Sequence, residues 1–397
     1  MTPTLPFTAL PSVEVFACED RVAQLIWRDL PNGLVGAIVN GREQILGEGG
    51  RPGAGEITGL KPSTSHAVDI TLDGRVLFQR TIHNDSTVEG DALARIATIS
   101  DLHLGEEGFG LFKEMKEAHS VDADYPLRFA RAAVREAEAW GAELLVIKGD
   151  ITDFGLPDQW ALFDELLNHV NIPVVAIPGN HDTVGRPGSL DATAELQRRG
   201  LFPSPVHTMD LPGVQLIAAN TAIDRHNWGK LQPIADDLVS AVAADRPSML
   251  FVHHHLETHF YPRIWPFSAR RRDASPVIDA MLERNPALFI TSGHSHRNRR
   301  RRQWSAMVTE VGSTKDHPGV WAGYVVHQAG VRQVVRRVAE PSCMEWTDRT
   351  HAAAGGLRGQ WSPGTIGDRS FHHAWSPVST SPTWPEEQTH QRVFLPG

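Results

Sequence analysis

ARIATISDLH, residues 94–103, is an apolar, β-branched run that stops abruptly at a carboxylate and an imidazole. The same grammar returns in AELLVIKGD (142–150), PVVAIPGN (173–180), VQLIAAN (214–220), SMLFVHH (248–254) and ALFITSGH (287–294). Runs of this length, apolar on both faces and closed by glycine or a polar residue, read as buried strands. Helical periodicity fills the gaps between them. PLRFARAAVREAEAW (126–140) puts Leu127, Ala130, Ala133, Val134 and Ala137 on one face, and PDQWALFDELLNHV (157–170) opens with proline at a helix start. Strand followed by helix, repeated, predicts an α/β architecture.

Outward from this core the rhythm changes. Before it, VEVFAC, VAQLIW, LVGAIVN, HAVDITL and RVLFQRTI are short and rich in β-branched residues, and Asn-Gly, Asp-Gly and Gly-rich turns separate them. That pattern predicts a small all-β sandwich over residues 1–92. After it, residues 340–397 are rich in Gly, Pro and Ser and carry Trp346, Trp361, Trp375 and Trp384. This tail is expected to be an irregular segment whose tryptophans pack on the α/β domain, residues 93–339.

Composition limits the function classes. Hydrophobic residues at 41% and charged residues at 21% suit a chain of 397 residues with a sizeable core and argue against disorder. The net charge of -9 argues against a nucleic-acid partner. Two cysteines, Cys18 and Cys343, give no disulfide framework, and the opening MTPTLPFTALPSVEVF lacks the pattern of a signal peptide. With no apolar run long enough for a membrane helix, the expectation is a cytoplasmic protein, no membrane, and a homo-oligomer left open.

The chemistry gathers where the predicted strands end, at Asp101 and His103, Gly149-Asp150 and Asp153, Gly179-Asn180-His181-Asp182, His253-His254-His255, and Gly293-His294-Ser295-His296. Open α/β sheets place ligands at the carboxyl ends of their strands. A carboxylate such as Asp150 can bridge two cations, imidazoles offer neutral nitrogens, and an Asn carbonyl offers a neutral oxygen. Such a mixed shell suits manganese, iron or zinc. Two cations about 3.5–4 Å apart can clamp a phosphate and activate a hydroxide.

The ordered series Asp-x-His, Gly-Asp-x-x-Asp, Gly-Asn-His-Asp, His-His and Gly-His-x-His, from Asp101 to His296, resembles the signature of calcineurin-like metallophosphoesterases. The resemblance implies a four-layer metallophosphoesterase sandwich, two mixed β-sheets flanked by helices. It implies that Asp101, His103 and His296 hold a first metal, that Asp150 bridges, and that Asn180, His253 and His294 hold a second. His181 would contact the scissile phosphate and help the leaving oxygen, oriented by Asp182. EITGLKPSTSHAVDITLDG (56–74) is similar to the later strands of fibronectin type III modules, with His66 where that family places tyrosine. Asp153 stands where purple acid phosphatases place a tyrosine ligand, and His103 where they lack a histidine. The pattern is similar to the bacterial branch of cyclic-nucleotide and glycerophosphodiester hydrolases, although His255-Leu256-Glu257 follows the paired His where that branch often has proline.

The expected activity is therefore hydrolysis of a small-molecule phosphodiester with two divalent metal ions and a bridging hydroxide as nucleophile. A phosphomonoesterase is the alternative, and a non-catalytic metal-binding scaffold is the reading of another class. Other features have bland readings beside sharp ones. His254 contacts ligands or substrate, or simply packs; His255 and His259 are read as structural. Asp153 steadies the metal ligands or caps a helix, and Asn220 makes a turn or edges the site. Arg270-Arg271-Arg272 and Arg299-Arg300-Arg301-Arg302 are solvated faces before they are anion guides.

Overall fold

A computed structural model of the chain describes residues 11–84, 87–110, 113–117, 124–258 and 267–377. His259 and Trp384 lie outside these ranges. The N-terminal strands are β1 (Ser12–Cys18), β2 (Ala23–Arg28), β3 (Leu34–Val39), β4 (Arg42–Glu48), β5 (Gly53–Ile57), β6 (Ser65–Leu72) and β7 (Arg75–His83). They form two antiparallel sheets, ordered β1-β2-β5 and β4-β3-β6-β7. Alternating side chains from both sheets, among them Leu25, Trp27, Val35, Ala37, Val68 and Ile70, enclose a separate core.

The remaining strands are β8 (Ala92–Ile99), β9 (Leu144–Lys148), β10 (Val174–Ile177), β11 (Val206–Leu211), β12 (Val214–Ala219), β13 (Ser248–Val252), β14 (Leu288–Ser292), β15 (Arg299–Gln303), β16 (Ala306–Glu310), β17 (Val320–His327), β18 (Gly330–Arg337) and β19 (Ser370–Ala374). They build two six-stranded mixed sheets, β10-β9-β8-β17-β18-β19 and β11-β12-β13-β14-β16-β15. Within them β8, β9 and β10 run parallel, as do β12, β13, β14 and β16. The helices are α1 (Tyr125–Ala139), α2 (Pro157–Leu167), α3 (Asn180–Val184), α4 (Ala192–Arg198), α5 (Ala235–Ala241), α6 (Arg271–Arg284), α7 (Pro341–His351), α8 (Leu357–Trp361) and α9 (Ile366–Arg369).

Strand alternation explains why the second sheet reads as apolar on both faces. Met249, Phe251 and Phe289 point into the core shared with the first sheet, where Phe251 and Phe289 lie 6.0 and 5.9 Å, ring to ring, from Tyr324. Their neighbours Leu250, Val252, Leu288 and Ile290 point the other way, onto Leu238 of α5 and Val277, Ile278 and Met281 of α6. On the first sheet Trp321 turns outward to Trp140, just after α1. The predicted helices appear as α1 and α2, with Leu127, Ala130, Ala133, Val134 and Ala137 all buried. Among the described residues no helix is long and apolar enough to cross a membrane.

The tail differs from the expectation of an irregular segment. It carries α7, α8 and α9, and β19 pairs antiparallel with β18 as the last strand of the first sheet. The reason is visible in α7: Cys343, Met344, Trp346, Thr347 and Thr350 share one buried face, a short period masked by the Gly/Pro-rich sequence after it. Trp346 lies against Tyr125 with ring centroids 4.3 Å apart, and Trp375 donates to the His327 carbonyl at 3.2 Å, so these tryptophans pack. The N-terminal sheets rest on this same edge. Gln24 exchanges hydrogen bonds of 2.9 and 2.8 Å with the backbone of Arg337, Arg369 donates to the Phe16 carbonyl at 2.6 Å, and Arg336 pairs with Glu19 and Glu56.

Candidate metal centre

Asp101 and His103 follow β8, Asp150 follows β9, Asn180 and His181 open α3 after β10, His253 follows β13, and His294 and His296 follow β14. Both sheets thus present the carboxyl ends of their parallel strands to one place. The backbone there is unusual. Asp101, His103, Asp150, His294 and His296 all have positive φ, between 49° and 66°. Each such residue costs on the order of 1–2 kcal/mol, and the surrounding strands must hold it. Two glycines admit the close approach. Gly149 has φ +83°, with His253 Nδ1 2.6 Å from where a Cβ would stand; at Gly179 a Cβ would meet Asp150 Oδ1 at 2.2 Å.

Asp150 is the hub. Its Oδ2 lies 3.6 Å from His103 Nε2, and its Oδ1 lies 3.3 Å from His253 Nε2 and accepts the His181 backbone N–H at 2.8 Å. Asn180 Oδ1 and His294 Nδ1 lie 3.1 and 3.2 Å from His253 Nε2. On the other side His296 Nε2 lies 3.4 Å from Asp101 Oδ1. Ligand atoms of Asp101, His103 and His296, and those of Asp101, Asp150 and His253, fall within 4.8 Å of one another. So the seven residues expected as ligands do come together.

Outer contacts aim several of them. His253 Nδ1 meets the Lys148 carbonyl at 2.7 Å, His296 Nδ1 meets Asp316 at 3.0 Å, and the Ser100 hydroxyl donates to Asp101 at 2.6 Å. Asp316 and Lys148 were invisible to motif reading. Asp316 sits in the polar connection between β16 and β17, six residues past the strand end at Glu310, where no strand-end signal marks it. His254 is buried, bonded to Thr221 through Nδ1 at 2.9 Å; its ring centroid lies 4.8 Å from that of His294, and its Nε2 makes no hydrogen bond. Its ligand atoms also cluster with those of His253 and His294.

The orientation expected for His181 is different. Asp182 turns away and accepts the backbone N–H groups of Ile151, Thr152 and Gly179 at 3.1, 2.7 and 2.9 Å, which locks the loop bearing Asp150. It cannot also reach the ring beside it. Asp153 faces His181 instead, its carbonyl 3.1 Å and its carboxylate 3.5 Å from Nδ1. The same carboxylate lies 3.8 Å from His103 and 3.1 Å from Lys113. Asn220 makes a turn, accepting the Ala222 N–H at 2.9 Å. The arginine run is edge strand β15, where Arg301 reaches inward to the buried Glu310, which Arg297 also holds at 2.7 Å. Arg271 donates to the Thr258 carbonyl at 2.6 Å.

Charge fits a cation site. Burial opposes ionisation of Asp150, yet the imidazoles of His253 and His181 hold its carboxyl well below the usual range. Burial pulls His253 down, but Asp150 and Asp101 outweigh it and lift the imidazole to about 9. His181 is likewise lifted to about 9 by Asp150 and Asp153 against burial. Protons therefore occupy ring positions where cations would offset the same carboxylates. His103 is the telling residue: it is buried, and neither ring nitrogen makes a hydrogen bond. Orphaned buried nitrogens opposite carboxylates are the donor set of a divalent metal, so the residues fit the group.

Residues 94–298 match the profile of the calcineurin-like phosphoesterase family. A protein named "Probable cyclic nucleotide phosphodiesterase" from Synechococcus sp. is 24% identical over 216 residues, covering 52% of this chain and 75% of its own length. Glycerophosphodiester phosphodiesterase GpdQ of Enterobacter lignolyticus is 24% identical over 217 residues, 51% of this chain and 70% of its own. Among solved structures, purple acid phosphatase PPD1 from yellow lupin (Lupinus luteus) aligns at a TM-score of 0.46 and 11% identity, over 83% of this chain and 72% of that one. With the matched stretch spanning more than half of its residues, the chain belongs to the calcineurin-like phosphoesterase family and is, by that membership, a phosphoric ester hydrolase.

Proposed function

We propose that the protein hydrolyses a small phosphodiester, a cyclic nucleotide or a glycerol-type diester, at a centre for two divalent cations. The observation that supports this reading is the convergence of seven ligand-type side chains around one central carboxylate, Asp150, with the partly exposed His181 beside it. Asp101, His103 and His296 would hold one ion and Asn180, His253 and His294 the other, both sharing Asp150. Manganese, iron or zinc suits that shell. Bound there, the ions would supply Lewis acidity and a nucleophile at neutral pH. The chain's own part is to fix geometry and handle the proton. His181 has a side chain 37% exposed, and its Nδ1 is engaged by Asp153, which leaves Nε2 to donate to the departing alkoxide. Asp153 thereby takes the orienting part first expected of Asp182.

Names of relatives favour the diesterase reading over the phosphomonoesterase one. Manganese-loaded protein assayed on bis-p-nitrophenyl phosphate and p-nitrophenyl phosphate tests it. Preference for the diester is expected, and strong preference for the monoester would refute it. His181→Ala should keep its metal and lose turnover by ~100-fold or more; unchanged turnover would remove His181 from the mechanism. We further read residues 1–92 as a fibronectin type III-like module, supported by the three-plus-four antiparallel arrangement, with 93–339 catalytic and 340–397 packed on it. Two buried cysteines suit a reducing, cytoplasmic setting.

A further inference from the structure

His296 is gripped from behind by a part of the chain that lies outside the family match. Its Nε2 faces Asp101, and its Nδ1 meets Asp316 Oδ2 at 3.0 Å. Asp316 is fully buried, and its other oxygen, Oδ1, pairs with Arg358 of α8. Lys315 Nζ lies 3.3 Å from Oδ2 but is also tied to Glu106, which in turn takes the Tyr125 hydroxyl. Two carboxylates and two cations thus balance in a dry pocket, and Arg358 is the cation not shared with Glu106. Its guanidinium also lies over the Phe109 ring at 4.6 Å. A buried carboxylate stripped of its partner is costly to keep in place.

The tail grips the same loop a second time. Just past α8 the Ser362 carbonyl accepts the Asn298 backbone N–H at 2.8 Å, and the Pro363 carbonyl accepts Asn298 Nδ2 at 3.2 Å. The Trp361 ring lies 4.8 Å from the Arg297 guanidinium. Asn298 is two residues beyond His296, so α8 and its flank hold the Gly293–His296 turn from both the side-chain and the backbone direction.

We propose that α8 is a working part of the metal centre: Arg358 fixes Asp316, and Asp316 fixes the ring angle and tautomer of His296, so that Nε2 presents its lone pair to the site. Arg358 is a positioning residue: it holds Asp316, and its Nη2 also lies 3.0 Å from His296 Nδ1. Partners of this kind typically change metal affinity by about 10–100-fold. The inference rests on the reading of His296 as a ligand.

Cobalt(II) titration of metal-free, full-length protein, followed by visible absorption, tests both levels. Wild type should bind in two steps, and His296→Ala identifies the step to which His296 belongs. Arg358→Ala should weaken that step by about 10-fold or more and leave the other unchanged. Should Arg358→Ala fail to fold, Arg358→Gln, which keeps the length and polarity but not the charged fork, carries the same expectation. Equal weakening of both steps, or of neither, overturns the inference. If His296→Ala itself alters neither step, the ligand reading beneath it falls instead.

Discussion

Replacing His255 by leucine tests whether the buried layer behind the metal loops, which also holds the Glu310–Arg297–Arg301 cluster, is as dry as its packing implies. The ring is 1% exposed, neither nitrogen makes a hydrogen bond, and it stacks on His294 at 5.7 Å. Burial pushes its pKa down to about 3, with Glu310 opposing the shift and His294, Arg297 and Arg301 adding to it. In the unfolded chain the imidazole titrates near 6.5. A depressed folded pKa means that the stability is complete above pH 6.5 and is lost as pH falls toward 3. Within that window each pH unit costs about 1.4 kcal/mol, so the loss between pH 7 and pH 5 comes to about 2 kcal/mol. Leucine does not titrate, and it removes two unpartnered buried nitrogens. Urea denaturation of chelator-treated wild type and His255→Leu at both pH values measures the effect. The variant's advantage should grow by about 2 kcal/mol on going from pH 7 to pH 5. An advantage that does not change with pH would show that the folded ring protonates, and the dry-layer argument would fail.

Two further outcomes follow from the site. Gly179→Ala drives a Cβ to 2.2 Å from Asp150 Oδ1 and 2.3 Å from its backbone nitrogen, and a strained loop cannot retreat. Metal content after gel filtration should collapse, with about 1–3 kcal/mol of stability lost; wild-type content would contradict the packing. Because His253 sits at about 9 in the metal-free site, a cation must displace its proton. Apparent affinity, read by competition with a chromophoric chelator, should therefore climb by up to about tenfold per unit from pH 7 to pH 9. A flat profile would mean that His253 is already neutral.

Much of the core was legible because the signal was local. Six apolar runs ending in Asp, Asn, Gly or His carried strand length, burial on both faces and the end at which chemistry gathers. The α1 face was legible for the same reason, since five apolar side chains at helical spacing leave little choice. The tail was not. Its α7 stripe is short, and β19 is five residues whose place depends on β18 offering an open edge. Nothing within residues 370–374 announces that partner. The Asp182 assignment failed similarly: adjacency in sequence suggested the ring of His181, but α3 turns the carboxylate toward three backbone N–H groups.

By itself, then, the sequence determined which side chains could bind cations and which strand end each would occupy, because residue type and strand period are properties of neighbours in the chain. Tertiary structure alone decided who stands behind them. Asp153 serves His181, Lys148 offers its carbonyl to His253, and Arg358 reaches Asp316 from 42 residues away along the chain. Such partners are chosen by the need to compensate charge and polar groups in a space closed by both sheets and the tail. That need exists only after the chain has folded.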